Sequence, residues 1–170
     1  MIDRNTRMTL LTEEARRWIG IKERNGDNSG EIVEMFQRAV DQKAQRESWC
    51  MCFVMYCLQQ ADRIAVNVFG AKGRHNLFIS EHCLTVWEKS PLSCRVDRPV
   101  VGSIAIWQMG NTRSGHAGIV VAISSGGFQT IEGNTGPGAG IVREGDGVFV
   151  KNRTLVSSPN FKLLGFLLPY

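Results

Sequence analysis

The sequence predicts an α+β fold in which N-terminal helices pack on an antiparallel sheet of about five strands. Three observations predict it. Apolar residues recur at helical spacing over residues 8–90, whereas after Pro99 the pattern changes to short β-rich runs separated by Gly, Asn and Ser. Those runs follow one another at hairpin distances, and helices followed by hairpin-linked strands argue for an antiparallel sheet. With 170 residues, 43% of them hydrophobic and 21% charged, the chain has the size and composition of one globular domain. The expectation is a single unit over residues 1–170, with a helical part over about 8–90 and a sheet part over about 99–168.

Each element has a local reason. Leu10, Leu11, Ala15, Trp18 and Ile19 share a helical face, with Thr12 as the expected N-cap and Gly20 as the stop. Residues 25–30 (Asn-Gly-Asp-Asn-Ser-Gly) form a polar turn, and Ile32, Val33, Phe36 and Val40 outline a second amphipathic helix capped near Ser29. The run from Trp49 to Leu58 is apolar all round, which predicts a buried third helix with Ser48 at its cap. A short helix follows at 81–88, where Ser80 can cap, and strands are expected at 101–107, 117–123, 128–132, 148–152 and 163–168.

Composition excludes several classes of function. The longest apolar stretch, Trp49 to Leu58 and a little beyond, is well short of the roughly 20 residues a bilayer span needs. The net charge of +4 is carried by scattered Lys and Arg, with no basic stripe interleaved with aromatics, so no nucleic-acid partner is expected. The N-terminus lacks the apolar core of a secretory signal, which predicts synthesis in the cytoplasm without a signal peptide. Five cysteines (Cys50, Cys52, Cys57, Cys83, Cys94) are an odd number in a chain large enough to hold itself together by burial, so a reduced protein is expected rather than a disulfide framework. Cys50-x-Cys52 has no second Cys/His pair at zinc spacing. The 25–30 loop mimics the early positions of a calcium-binding loop, yet Phe36 stands where its bidentate Glu should be. No metal is expected.

Four residues could carry chemistry. Cys50 in the first turn of a buried helix would have its thiolate stabilised by unpaired N–H groups and the helix dipole, although a cysteine in an apolar helix is more often inert packing. At about 100° per residue Cys52 projects to nearly the opposite side, and Cys57 lies roughly 10 Å further along the axis. His116 opens an expected strand beside Gly115, sterically free to meet a partner; an exposed turn histidine is the plain alternative. His75 and His82 read as surface or structural. Glu132 and Asn134 stand two apart on a strand, so both can address one imidazole or substrate, although Glu-Gly-Asn-Thr-Gly is also good turn composition.

Trp49-Cys50-Met51-Cys52-Phe53-Val54, then Gly115-His116-Ala117-Gly118-Ile119-Val120, then Ile131-Glu132-Gly133-Asn134-Thr135 resembles the CHAP family of peptidoglycan hydrolases, related to NlpC/P60. The resemblance extends to the upstream 25–37 segment and the late 147–153 segment. Met51 and Cys52 depart from the family's small residues, and Ser103 replaces its usual Asp. The resemblance implies a papain-like fold, Cys50 as nucleophile, His116 as base, Glu132 as orienting residue, Asn134 as a polar member of the site, and Trp49 and Gly115 against the substrate. It implies no cofactor. The substrate would be an amide in the peptidoglycan stem peptide or at its junction with muramic acid, cleaved as by an N-acetylmuramoyl-L-alanine amidase or an endopeptidase. The expected setting is the periplasm or cell wall, reached by a phage endolysin through a holin or by a toxin injected by a secretion machine. A toxin would have an immunity protein as partner, and the protein is expected to be a monomer. Two alternatives stay open: a non-catalytic wall- or partner-binding module on the same scaffold, and a cysteine hydrolase or transferase acting on another amide.

Overall fold

The computed structural model describes residues 2–138 and 145–170. Four helices come first: α1 (Arg4–Arg17), α2 (Glu31–Asp41), α3 (Cys50–Phe69) and α4 (Cys83–Lys89). A 3-10 turn at Leu92–Cys94 leads into β1 (Arg95–Val96), β2 (Ile104–Gln108), β3 (Gly115–Ser124), β4 (Gly127–Thr135), β5 (Gly147–Arg153) and β6 (Lys162–Leu167). The strands form one sheet in the order β1-β6-β2-β3-β4-β5, each neighbour antiparallel. Each of the five expected strands has its counterpart. The sixth, β1, pairs only Arg95 with Leu167 and Val96 with Phe166, too few residues for a period-2 pattern to register.

Helix starts depart from the sequence reading. Asp3 caps α1, accepting from the Thr6 backbone N–H at 2.8 Å, and Thr12 sits mid-helix with its hydroxyl donating to the Thr9 carbonyl. Its first turn carries Arg4, Asn5 and Arg7, so apolar periodicity begins two turns after the helix does. Gly30 occupies the cap of α2; Ser29, one residue earlier, donates to the Asp27 carboxylate instead. Trp49, not Ser48, occupies the cap of α3 and makes no side-chain capping bond. At α4 the cap is His82, whose backbone N–H donates to Ser80 Oγ.

The first half of α3, up to Leu58, is apolar all round because it is the central layer. It packs on α1 and α2 on one side and on β3 and β4 on the other, with Met51, Cys52, Phe53, Val54 and Met55 fully enclosed. Each such large side chain removed from water stabilises the fold by roughly 1.5–3 kcal/mol. Gly133 lets the first turn of α3 lie against β4, since a Cβ there would meet Trp49 at 2.7 Å and Phe53 at 2.8 Å.

Strand alternation divides the sheet into two faces. Ile104, Ile106, Ala117, Ile119, Val121 and Ile131 join the helical core, while Ala105, Trp107, Val120, Phe128, Phe161 and Phe166 form a second cluster on the other face. The turn into β2 is closed by Ser103, whose hydroxyl donates to the Val100 carbonyl at 2.6 Å and accepts from the Val100 N–H at 3.2 Å. Among the described residues no helix is long and apolar enough to cross a membrane.

Candidate active site

Cys50 is the first residue of α3. The Phe53 N–H to Trp49 carbonyl bond, 2.9 Å, closes the first helical turn. By helix geometry the N–H groups of Cys50, Met51 and Cys52 then have no acceptor within the helix. The Cys50 sulfur touches a second thiol, Cys83 Sγ at 3.6 Å, which belongs to the first residue of α4.

His116 stands opposite Trp107 in the β2–β3 register, on the sheet face away from the helices, with its ring 6.0 Å from Trp107 and 6.2 Å from Phe161. Its Nε2 lies 2.7 Å from Glu132 Oε2. Glu132 is wholly buried. It accepts from Thr130 Oγ1 at 2.5 Å, from Arg153 Nε at 2.8 Å and from the Arg153 terminal NH2 at 2.5 Å. Gly118 makes room for this carboxylate, since a Cβ there would stand 2.6 Å from Glu132 Cγ.

The electrostatics follow from these contacts. The hydrogen bond from Cys83 holds the Cys50 thiol well below its ordinary range against the opposing effect of burial, and the His116 imidazolium beside it acts the same way. For His116, burial favours the neutral ring, but the Glu132 charge and the hydrogen bonds to Cys50 and Glu132 win and raise it to about 9. Burial would push Glu132 up; the charge of His116 and the hydrogen bonds from Arg153 hold it at about 2. Burial pushes Cys52 and Cys57 far up, and Cys83 rises because it donates to Cys50. Of these four thiols only Cys50 is shifted toward the thiolate.

Arg153 completes a row of alternating charges: thiolate, imidazolium, carboxylate, guanidinium. Its guanidinium lies over the faces of Trp107 and Phe161, 5.5 and 5.4 Å from their centroids, and shields Glu132 from water. Sequence reasoning assigned Arg153 no role. Strand alternation gave no signal for it, since Val148 and Val150 read as the inward face of β5 whereas Lys151 and Arg153 hold buried alternate positions. Cys83 likewise comes to Cys50 only through tertiary packing.

Two cavities meet at the thiol. One of about 450 Å³ is lined by residues including Glu47, Ser48, Cys50, Glu81, Cys83 and Arg113. A smaller one of about 110 Å³ is walled by Ser48, Cys50, Met109, His116 and Asn134 among others. Gly115 borders both, and packing demands it be bare: a Cβ would meet Cys83 Cβ at 2.8 Å and the Trp107 carbonyl at 2.9 Å.

Of the two residues expected to address one imidazole or substrate, Glu132 meets the imidazole and Asn134 faces the small cavity beside Cys50 and His116. Asn134 adopts a left-handed backbone with φ +53°, and the β4–β5 register slips between Glu132 and Thr135. Its side chain therefore leaves the regular alternation and walls the small cavity, with Oδ1 buried and, among the described residues, without a hydrogen-bond partner. Trp49 is misplaced as a substrate contact. It is fully buried, stacked 5.8 Å from Phe36, and its indole N–H donates to Glu23 Oε1 at 2.8 Å.

His75 is buried, its backbone N–H donating to Asp62, whereas His82 is exposed on the rim of the large cavity. In the 25–30 loop Asp27 accepts from Ser29 and pairs with Arg46 at 3.1 Å, while Phe36 is buried. Among the described residues no group of three or more His, Cys, Asp or Glu side chains is placed to hold a metal ion.

A family model described as the CHAP domain matches residues 42–134, more than half of the chain. The chain belongs to the CHAP-domain family. Cys50, Cys83, His116, Glu132 and Asn134 all fall inside the CHAP match, and Arg153 falls outside it. No curated protein and no solved structure matches the chain. CHAP membership agrees with the papain-like architecture seen here, helices packed against a multi-stranded antiparallel sheet, and with cysteine-hydrolase chemistry directed at peptidoglycan.

Proposed function

We propose that this CHAP-domain protein hydrolyses an amide bond of peptidoglycan, in the stem peptide or at its junction with muramic acid, with Cys50 as nucleophile and His116 as its proton carrier. The observation that carries the reading is the 2.7 Å bond between His116 Nε2 and Glu132. It fixes the ring and leaves Nδ1 to exchange a proton with the thiol.

The Cys50 thiolate attacks the carbonyl carbon, and the oxyanion forms near the open backbone N–H at the start of α3. Asn134, with its amide oxygen unpartnered among the described residues, leaves its amide beside the small cavity where it can serve that task. The imidazolium protonates the leaving amine, giving an acyl thioester. Water, deprotonated by His116, then attacks the thioester and returns the thiol. The wall of the larger cavity carries Glu47, Glu81 and Arg113, which suits a polar, charged peptide. Cutting the glycan would use a carboxylate pair as its reacting groups, whereas the groups that meet at this site are a thiol and an imidazole held by Glu132.

The chain acts as one catalytic unit in this reading, because Arg153 on β5 holds Glu132 from outside the family match. The role is wall lysis, by a phage endolysin or an injected toxin, and the net charge of +4 favours association with anionic envelope polymers. Purified protein incubated with sacculi should release fragments whose masses show cleaved amides, and Cys50→Ser should release none. New reducing sugar ends would overturn the amide assignment, and binding without release would favour a wall-binding module.

A further inference from the structure

We propose that Cys50 and Cys83 are a redox modification site, closing to a reversible disulfide when a peroxide reaches the large cavity. The two sulfurs already touch at 3.6 Å although the residues are 33 apart in sequence. A disulfide is about 2.05 Å long, so the sulfurs need approach by only roughly 1.5 Å. Each thiol belongs to the first residue of its helix, and both border the same cavity of about 450 Å³, which admits a small oxidant. The remaining cysteines are not so placed. Cys52 and Cys57 are enclosed in the helical core, and Cys94 lies in the turn before β1; none of the three lines the cavity at Cys50.

The chemistry balances with hydrogen peroxide as oxidant. The Cys50 thiolate attacks one peroxide oxygen, the O–O bond breaks, and the departing hydroxide takes a proton to become water; Cys50 is left as a sulfenic acid. Cys83 sulfur then attacks the Cys50 sulfur, the S–O bond breaks, and the hydroxyl leaves as water with the Cys83 proton. Two thiols are oxidised and one peroxide is reduced to two waters. A dithiol reductant reverses the step by exchange. The first reaction needs a thiolate, and the polarisation of Cys50 by Cys83 and His116 supplies it. Cys83 would therefore resolve the sulfenic acid before it is oxidised further. The consequence for turnover rests on the hydrolase reading above, since a sulfur held in a disulfide cannot attack a carbonyl; formation of the bond does not depend on that reading.

The test treats the reduced full-length protein with hydrogen peroxide, blocks free thiols with N-ethylmaleimide, and maps peptides by mass without reduction. The expected product is a Cys50–Cys83 linked peptide pair lighter by two hydrogens, with sacculus hydrolysis nearly lost and restored by dithiothreitol. In Cys83→Ala, and in Cys83→Ser should the first fail to fold, no such pair should form, and Cys50 should pass to sulfinic acid that dithiothreitol does not reverse. Wild type whose Cys50 becomes sulfinic while Cys83 is still blocked by maleimide would overturn the proposal, as would linkage of Cys50 to another cysteine or only between molecules. A reduced wild type that is inert on sacculi but still forms the pair would sink the hydrolase reading and support the redox site.

Discussion

Glu132→Gln is the substitution that separates charge from shape at the centre of the site. Glu132 accepts one bond from His116, one from Thr130 and two from Arg153, and it is wholly enclosed. Raising His116 from 6.5 to about 9 corresponds to on the order of 3 kcal/mol in favour of the imidazolium, or roughly two orders of magnitude in the population of the thiolate–imidazolium pair. Cys50 supplies part of that shift, so loss of the carboxylate charge should lower kcat/KM near neutral pH by at most roughly 10²-fold. If the amide turns its donor end to the ring, Nε2 must become the acceptor and Nδ1 carries the hydrogen, the wrong tautomer for taking a proton from the thiol. The loss then approaches about 10⁴-fold, as for amide replacement of the carboxylate in serine triads.

Stability should fall as well, by about 3–5 kcal/mol, because Arg153 is left buried without its anion. The pH profile reads the same interaction. In the wild type the alkaline limb of kcat/KM should lie near 9, and in the variant it should move to lower pH. His116, raised in the folded state, contributes stability that is complete below about 6.5 and lost as pH rises through about 9. Glu132, lowered from 4.5, contributes stability that is complete above that value and lost as pH falls through about 2. A folded Glu132→Gln protein whose alkaline limb stays near 9 and whose turnover is unchanged would refute the reasoning.

Three further outcomes follow from the same contacts. Cys50 should be the first thiol alkylated by iodoacetamide at mildly acid pH, and Cys50→Ser should abolish hydrolysis with little change in Tm; Cys52→Ala should keep hydrolysis at a cost of about 1–2 kcal/mol. Fast alkylation mapped to Cys52 would reverse that assignment. Gly118→Ala should cost about 1–3 kcal/mol in urea denaturation and depress turnover, because its Cβ would press on Glu132, whereas Gly126→Ala, with open space around it, should do neither. Arg153→Leu should unfold at markedly lower urea concentration by about 3–5 kcal/mol, with Arg153→Lys losing less because it keeps the charge while losing the two-pronged bond; equal stability of all three proteins would remove Arg153 from the charge row.

Elements governed by local period are legible in the amino-acid sequence itself. The all-apolar run from Trp49 to Leu58 identifies the central helix because a segment enclosed on every side needs no polar face, and the five longer strands declare themselves by β-branched runs between turn residues. Cys50, His116 and Glu132 are singled out by the family resemblance of the three segments that carry them, since each residue type alone also has a plain structural reading. Helix caps are less legible: Asp3, Gly30 and Trp49 hold positions that local patterning assigns to Thr12, Ser29 and Ser48, because a cap is chosen by where the chain enters the helix as well as by its side chain.

The rest was decided by tertiary structure. Trp49, expected against the substrate, is instead enclosed by Phe36 and Glu23. Asn134 leaves its strand alternation through a left-handed backbone, which its turn-like composition permits but does not fix. Cys83 and Arg153 reach Cys50 and Glu132 from 33 and 21 residues away, at distances that only the packing of α4 against the sheet and of β5 against β4 creates. Chain separation carries no record of such approaches, since a contact between distant residues depends on every element folded between them.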